Sequence, residues 1–201
     1  MASDARPIAF IDVETTGTWP GKHELLEVGA VVAAGGAPFA VTDSFEVKIK
    51  PARLSDADPE ALRVNRFSEE EWKDALPEDA AAREFCRRVS GASLWGWNVG
   101  FDRAFLEPAL NRAGLGLETC NLDYTWYDLK IEFRRWAILV GREAEFTPRF
   151  SLGAARRCFG VGNEDAHRAL SDALATYQIF VRLADEFDRL ARGGAPQASL
   201  F

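Results

Sequence analysis

Apolar runs rich in β-branched and aromatic residues predict three strands in the N-terminal third of the chain. These are PIAFIDVE (7–14), ELLEVGAVVA (24–33) and PFAVTDSFEVKI (38–49), and the turn sequences TGTWPG and AAGGA separate them. Short turns of this kind join antiparallel neighbours, so the second and third strands are expected to pair antiparallel. The chain is therefore predicted to begin with a β-meander.

Strand and helix patterns alternate along the rest of the chain. Two more strands are predicted, ASLWGWN (92–98) and a short LETCNLD (117–123). Apolar residues at i, i+3 and i+4 spacing, together with end signals, predict helices at 58–72 (in short pieces), 77–89, 101–114, 125–140, 151–160 and from near Ala166 to about Arg192. Helices around one mixed sheet predict a single α/β domain over residues 1–192, with a C-terminal tail at 193–201.

Two carboxylates interrupt the first predicted strand, in AFIDVETTG (9–17). Side chains two residues apart on a strand point to the same face, so Asp12 and Glu14 project side by side. Like charges this close cost on the order of several kcal/mol in a poorly solvated place, unless one is protonated or a cation lies between them. Two interpretations stay open: either the strand ends at Ile11 and both acids are solvated, or the pair binds a cation.

Further acids would have to converge on such a cation, because Mg²⁺ prefers octahedral oxygen coordination. Asp102 follows the fourth predicted strand at the start of a helix, where capping that helix is the alternative role. Asp172 lies in the first turns of the last helix, near its buried face. His167 lies five residues earlier, about 140° around a continuous helix, and is expected at the frayed helix start, although a lone histidine is more often structural or exposed.

Composition limits the classes of function. The 201 residues, of which 47% are hydrophobic, fit one packed domain. No apolar run has membrane-spanning length and the N-terminus lacks a signal-peptide pattern, so we expect a cytoplasmic protein without a membrane partner. The net charge of −7 argues against coating duplex DNA, although a local nucleic-acid site is compatible with it.

The cysteines and arginines carry no specific motif. Cys86, Cys120 and Cys158 are widely separated and lack CxxC spacing, so we expect reduced, mostly buried thiols. Arginines outnumber lysines and occur in small groups such as Arg156–Arg157, which are expected to be solvated or ion-paired on a helix surface.

Four segments, taken in order, resemble one family. FIDVETTG, HELLEVGAVV, NVGFD and HRALSD resemble the motifs of the DnaQ-like (DEDDh) 3′–5′ exonucleases, which have the ribonuclease H-like fold, and among them the epsilon-type proofreading subunits of bacterial DNA polymerase III. The resemblance covers about Ile8 to Phe180. It implies an α/β fold with a mixed five-stranded sheet, its second strand antiparallel, flanked by helices.

The resemblance also implies two-metal-ion hydrolysis with Mg²⁺ or Mn²⁺. The family's metal ligands fall on Asp12, Glu14, Asp102 and Asp172, and its general base falls on His167. The implied reaction removes nucleoside 5′-monophosphates from the 3′ end of single-stranded or frayed DNA, in proofreading or repair.

Five residues are implied to contact the terminal nucleotide: Thr15, Thr16, Gly17, Asn98 and Phe101. Phe101 is the favoured base-stacking residue, whereas at least one of Trp95 and Trp97 is expected to pack in the core.

Two departures from the family pattern leave the substrate open. Asn65–Arg66 replaces an expected Thr-Gly type turn, and the segment 124–148 is long and aromatic. One alternative is an RNA 3′-end-trimming enzyme of the same family, similar to ribonuclease T or oligoribonuclease. A second is a non-catalytic nucleic-acid-binding module.

The tail APQASLF (195–201) resembles the bacterial sliding-clamp-binding peptide, with Gln197, Leu200 and Phe201 as its contact residues. The alternative is that the tail folds onto its own domain.

Overall fold

One mixed five-stranded sheet forms the centre of the molecule, which we describe from a computed structural model for residues 5–162 and 167–193. The strands are β1 (Ile8–Thr15), β2 (Leu25–Ala33), β3 (Val41–Lys48), β4 (Ser93–Gly96) and β5 (Tyr127–Asp128). Their order is β3-β2-β1-β4-β5. β2 pairs antiparallel with β1 and β3, whereas β4 is parallel to β1 and β5. The predicted α/β sheet with an antiparallel second strand is confirmed.

Seven α-helices surround the sheet in the described residues. They are α1 (Pro59–Val64), α2 (Glu78–Val89), α3 (Gly100–Arg112), α4 (Leu129–Leu139), α5 (Glu143–Phe146), α6 (Leu152–Phe159) and α7 (Ala169–Ala191), and a 3₁₀ turn spans Leu54–Asp56. Side-chain caps start three of them: Asp58 accepts from the Glu60 amide, Asp128 from the Lys130 amide and Ser151 from the Ala154 amide. Among the described helices, none has both the length and the apolarity that a membrane crossing requires.

The two faces of β1 bury different layers, as its alternating side chains require. One face packs into the core formed with residues of α2 and α3, and it carries Ala9, Ile11 and Val13. The other face packs against Ala173 of α7, and it carries Ile8 and Phe10. By this alternation Asp12 and Glu14 continue the α7 face beyond Phe10. The strand runs on to Thr15, so the interpretation in which it ends at Ile11 is wrong.

The fifth strand lies later than predicted. Residues 117–121 form turns, closed by local hydrogen bonds such as Leu122 N–H to the Leu117 carbonyl, and β5 falls inside the segment predicted as helix from residue 125. The reason is Asp128, whose side chain accepts from the Lys130 amide and caps α4. The helix therefore begins at Leu129.

The expectation of three reduced thiols is wrong for two of them. Cys86 of α2 and Cys120 form a disulfide, with their Cα atoms 5.2 Å apart. They are 34 residues apart in sequence, so no short spacing motif could reveal the pair. Cys158 is the free cysteine.

Candidate active site

Asp12 and Glu14 lie near the carboxyl end of β1, and a third acid is fixed beside them. Asp102 lies in the first turn of α3 and is only 2% exposed. Its Oδ1 accepts a hydrogen bond of 3.0 Å from the amide of Val13, the residue between the two β1 acids. The N-cap position of α3 belongs to Val99, so Asp102 reaches back to β1 rather than capping its helix.

Asp172 and His167 approach the same place from α7. Glu14, His167 and Asp172 each offer one ligand atom, and the three atoms lie within 4.8 Å of one another. His167 is exposed, has a φ of 65° and precedes the first residue of α7 by two positions. Its backbone amide donates to Asp172. The structure thus brings the sequence-predicted acids and histidine together at one edge of the sheet.

Burial and mutual repulsion dominate the electrostatics of this cluster. Burial, followed by the charges of Asp102, Asp172 and Glu14, raises the pKa of Asp12 well above its ordinary value. Burial, followed by Asp172 and other nearby carboxylates, raises the pKa of Glu14 to about 8. Burial also raises the pKa of Asp102 and of Asp172. Without a counter-charge, this cluster therefore favours bound protons.

The position of α7 depends on two acids of the neighbouring strands. Glu27 of β2 is 1% exposed and accepts hydrogen bonds from Arg168 Nη2 (2.9 Å) and from the Ala169 amide (3.1 Å). Glu46 of β3 accepts from the same guanidinium and from the Leu170 amide. These bonds satisfy amides at the start of α7, which lack partners within the helix. They hold the start of α7 over the sheet.

Gly29 of β2 allows this close approach. A Cβ atom at residue 29 would overlap the backbone of Ala169 and Leu170. The positions of Asp172 and His167 therefore depend on Glu27, Gly29 and Arg168. The sequence motifs do not indicate this supporting role for any of the three.

The loop after β1 is held by its own hydrogen bonds. Thr15 Oγ1 donates to the Gly17 carbonyl (2.7 Å), and Thr16 Oγ1 accepts from the Glu24 amide (2.9 Å). Asn65 is buried and its Nδ2 donates to the Thr15 carbonyl (2.9 Å), so this departure from the family pattern supports the first motif. Gly17 has a φ of 156°, which L side chains rarely adopt, and a Cβ there would overlap the His23 ring unless that side chain moved.

The aromatic residues of the second motif divide into two groups. Trp97 is in the core and its Nε1 donates to the Phe150 carbonyl, while Trp95 stacks on Tyr127 at 4.9 Å between ring centroids. The expectation that at least one of these tryptophans packs in the core is confirmed. Phe101 is half-buried and packs on Phe105.

Asn98 and the tail residues are the remaining parts of the predicted site. Asn98 has a φ of 64°, and its amide donates to Asp128 Oδ1, so its backbone links the end of β4 to the start of α4. The tail residues Gln197, Leu200 and Phe201 lie outside the described residues.

The expectation that Arg156 and Arg157 are solvated or ion-paired on a helix surface is wrong only in the exposure of Arg156. Arg157 is exposed as expected, but Arg156 is 2% exposed and forms an ion pair with Asp172. The sequence of α6 could have indicated that Arg156 is buried and Arg157 exposed, because helical spacing places Arg156 on the same apolar face as Leu152 and Phe159.

A comparison with protein families decides the class. The profile of the RNase_T family, described as exonuclease, matches residues 9–180, which include all five clustered residues. The chain belongs to this exonuclease family. Among sequence relatives, the 3′–5′ exonuclease DinG of Bacillus subtilis is 29% identical over 181 residues, and a PolC-type DNA polymerase III of Thermotoga maritima is 24% identical. Each alignment covers 90% of this chain but only 18% and 12% of the respective relative.

Solved exonuclease structures share the fold of this RNase_T family member. An Escherichia coli ExoI–ssDNA complex superposes with a TM-score of 0.77, at 21% identity, over 94% of this chain and 43% of the other. Exonuclease I of Methylocaldum szegediense superposes with the same TM-score of 0.77, at 19% identity, over 92% of this chain and 41% of the other. The chain therefore spans less than half of these enzymes, and at this identity the likeness concerns the fold.

Proposed function

We propose that this chain is a metal-dependent 3′–5′ exonuclease acting on single-stranded or frayed DNA in proofreading or repair. One observation carries the proposal: four buried or half-buried carboxylates and a histidine converge at one sheet edge in a member of an exonuclease family. The name of the PolC-type DNA polymerase III relative supports DNA over RNA as substrate.

The donor set of the cluster fits Mg²⁺ or Mn²⁺. Carboxylate oxygens are the ligands that these ions prefer, and a bound cation would offset the mutual repulsion that helps to raise the pKa of Asp12 and of Glu14. Asp12, Glu14, Asp102 and Asp172 would hold two ions. When bound, such ions polarise the scissile phosphate and supply an activated water.

The protein's own groups then have distinct roles. His167 is exposed beside Glu14 and Asp172, where its imidazole accepts the proton of the attacking water as a general base. Asp102 keeps a fixed orientation through the Val13 amide, so its carboxylate needs little reorganisation during the reaction. The released product is a nucleoside 5′-monophosphate.

The terminal nucleotide is proposed to lie between the loop after β1 and the start of α3. Thr15, Thr16 and Gly17 would face its sugar, and Asn98 and Phe101 would border its base. A groove of about 750 Å³ adjoins this place and includes His23, which packs on Gly17, and Phe105, which packs on Phe101. Lys50 and Arg53 also line the groove and would attract the phosphates of the strand.

Digestion of matched 5′-labelled and 3′-labelled single strands with Mg²⁺ tests the activity and its polarity together. We expect immediate release of the 3′ label as a mononucleotide and a descending ladder from the 5′-labelled strand. Comparing initial rates on DNA and RNA strands of the same sequence tests the substrate, and faster digestion of RNA would favour the trimming enzyme instead.

Asp12→Asn is the matched inactive variant. Because it removes a ligand and one charge from a repelling cluster, we expect at least a thousandfold loss of rate together with a melting temperature in EDTA at or above that of the unmodified protein. Activity within a few-fold of the unmodified protein would contradict the site assignment, and catalytic silence with intact metal binding in the unmodified chain would favour a binding module.

The proposed partners are single-stranded nucleic acid and, through the tail, the bacterial sliding clamp. Deletion of residues 196–201 tests the second partner. Unchanged clamp binding after this deletion would contradict it.

A further inference from the structure

Arg156 contacts the carboxylate cluster through an ion pair with Asp172. It projects from α6, and its Nη2 donates to Asp172 Oδ1 (2.6 Å) and to the Ser171 carbonyl (3.0 Å). The side chain is 2% exposed, and that of Asp172 is 15% exposed. This is therefore a buried ion pair that includes one of the proposed metal ligands.

The pair has two physical consequences for Asp172. A guanidinium bound to one carboxylate oxygen and to the adjacent carbonyl restricts rotation of the carboxylate. Its positive charge also offsets the negative charges of the cluster, since it lowers the pKa of both Asp12 and Asp172 against the effect of burial. Arg168, which precedes α7, instead pairs with Glu27, Glu46 and Glu71.

We propose that Arg156 is a positioning residue: it fixes the orientation of Asp172 and serves as its counter-charge when no divalent cation is bound. The inference rests on the proposed function for the role of Asp172 as a metal ligand. It assigns to α6 a part in the active site that none of the exonuclease motifs in the sequence supplies.

The distinguishing experiment compares thermal unfolding of the full chain in EDTA and in saturating Mn²⁺. For Arg156→Met we expect the melting temperature in EDTA to fall by roughly 5 to 15 °C, because removing one partner of a buried pair strands the other charge. In Mn²⁺ we expect most of this loss to be recovered, since the cation replaces the guanidinium. Arg156→Lys keeps the charge and should retain most of the stability in EDTA.

Two further variants separate this role from simple packing. Arg157→Met changes the same residue type on the same helix at an exposed position, and it should shift the melting temperature by less than about 2 °C in either buffer. Adding Asp172→Asn to Arg156→Met removes the stranded charge and should recover stability in EDTA. Equal losses in EDTA and Mn²⁺, or no recovery in the double variant, would overturn the proposal.

Kinetics provide an independent readout. For Arg156→Met in saturating Mn²⁺ we expect kcat to fall about 10- to 100-fold, as for other partners that orient metal ligands, with KM for a single strand within about threefold. A change confined to KM would place Arg156 in strand binding and contradict the inference. If the unmodified chain proves inactive, the proposed function fails, while the unfolding series still decides whether Arg156 is the counter-charge of Asp172.

Discussion

Glu14 shows at the scale of one residue why the cluster needs a cation. Its pKa is raised to about 8 by burial first and by Asp172 next, and in the β1–β2 register it lies opposite Glu27, another acid. The folded protein without metal therefore keeps a proton on this carboxyl that the unfolded chain releases near pH 4.5.

This difference predicts how stability depends on pH. The raised folded pKa contributes stability that is present below about pH 4.5 and is lost as pH rises through about 8. In EDTA we expect the melting temperature to fall between pH 5 and pH 8.5, and in Mg²⁺ we expect a flatter profile, because the metal binds the deprotonated form. Glu14→Gln should flatten the profile in EDTA. A profile in EDTA that does not fall over this range would contradict the raised pKa of Glu14.

His167 supports a second prediction at this scale. As the proposed general base it should be removable without loss of fold, because it is exposed and lies outside α7. We expect His167→Ala to lower kcat about 10² to 10⁴-fold and to leave the melting temperature in EDTA within about 2 °C. Arg157→Met, at an exposed position outside the cluster, provides the comparison. Equal rates for His167→Ala and the unmodified protein would exclude a general-base role.

At the scale of elements, α7 delivers Asp172 to the acids of β1, and its approach is set by backbone contact with β2. Gly29 is the point of contact, since a Cβ there would meet the backbone of residues 169 and 170. Backbone cannot move aside as a flexible side chain can, so α7 would have to shift.

Gly29→Ala is therefore expected to affect both stability and catalysis. Overpacking should cost about 1 to 3 kcal/mol, and displacement of Asp172 should lower kcat at least tenfold at a temperature where the variant is folded. Gly116→Ala is the matched control, because a Cβ there meets no atom within 4 Å. Chemical denaturation and single-strand digestion measure the two effects. If Gly29→Ala loses stability but keeps full kcat, the position of α7 is less critical than we infer.

Helices and strands could be predicted from sequence where a local pattern of apolar and polar residues specifies them. The alternation in β1 and the apolar face of α7 are such patterns, and both elements lie close to where the sequence places them. β5 was placed wrongly because its two residues carry no periodicity, and its pairing with Trp95 and Gly96 of β4 is a long-range contact. The cap at Asp128 is a local sequence signal for the start of α4.

Across the whole molecule, the candidate site was predictable because its residues occur in motifs whose order and spacing are diagnostic. The roles of the supporting residues Arg156 and Glu27 could not be predicted, because each depends on contacts with segments that are distant in sequence. The same limit explains the disulfide, whose cysteines belong to different segments of the core.

The disulfide yields a prediction for the molecule as a whole. Cys86 and Cys120 close a loop of 34 residues that joins α2 to the segment after α3. Restricting a loop of this length in the unfolded chain stabilises the fold by roughly 3 to 4 kcal/mol. We therefore expect reductant, or Cys86→Ser, to lower the melting temperature by about 5 to 15 °C.

Activity should respond differently from stability, because neither cysteine belongs to the catalytic cluster. At 25 °C, where the protein remains folded, we expect kcat for reduced and oxidised protein to agree within about twofold. Thiol titration in denaturant supplies the covalent check, with one reactive thiol, Cys158, before reduction and three after it. Cys158→Ser should leave no reactive thiol before reduction. Three reactive thiols in protein kept under air and never exposed to reductant would show that the helix and the turn are held together by packing alone.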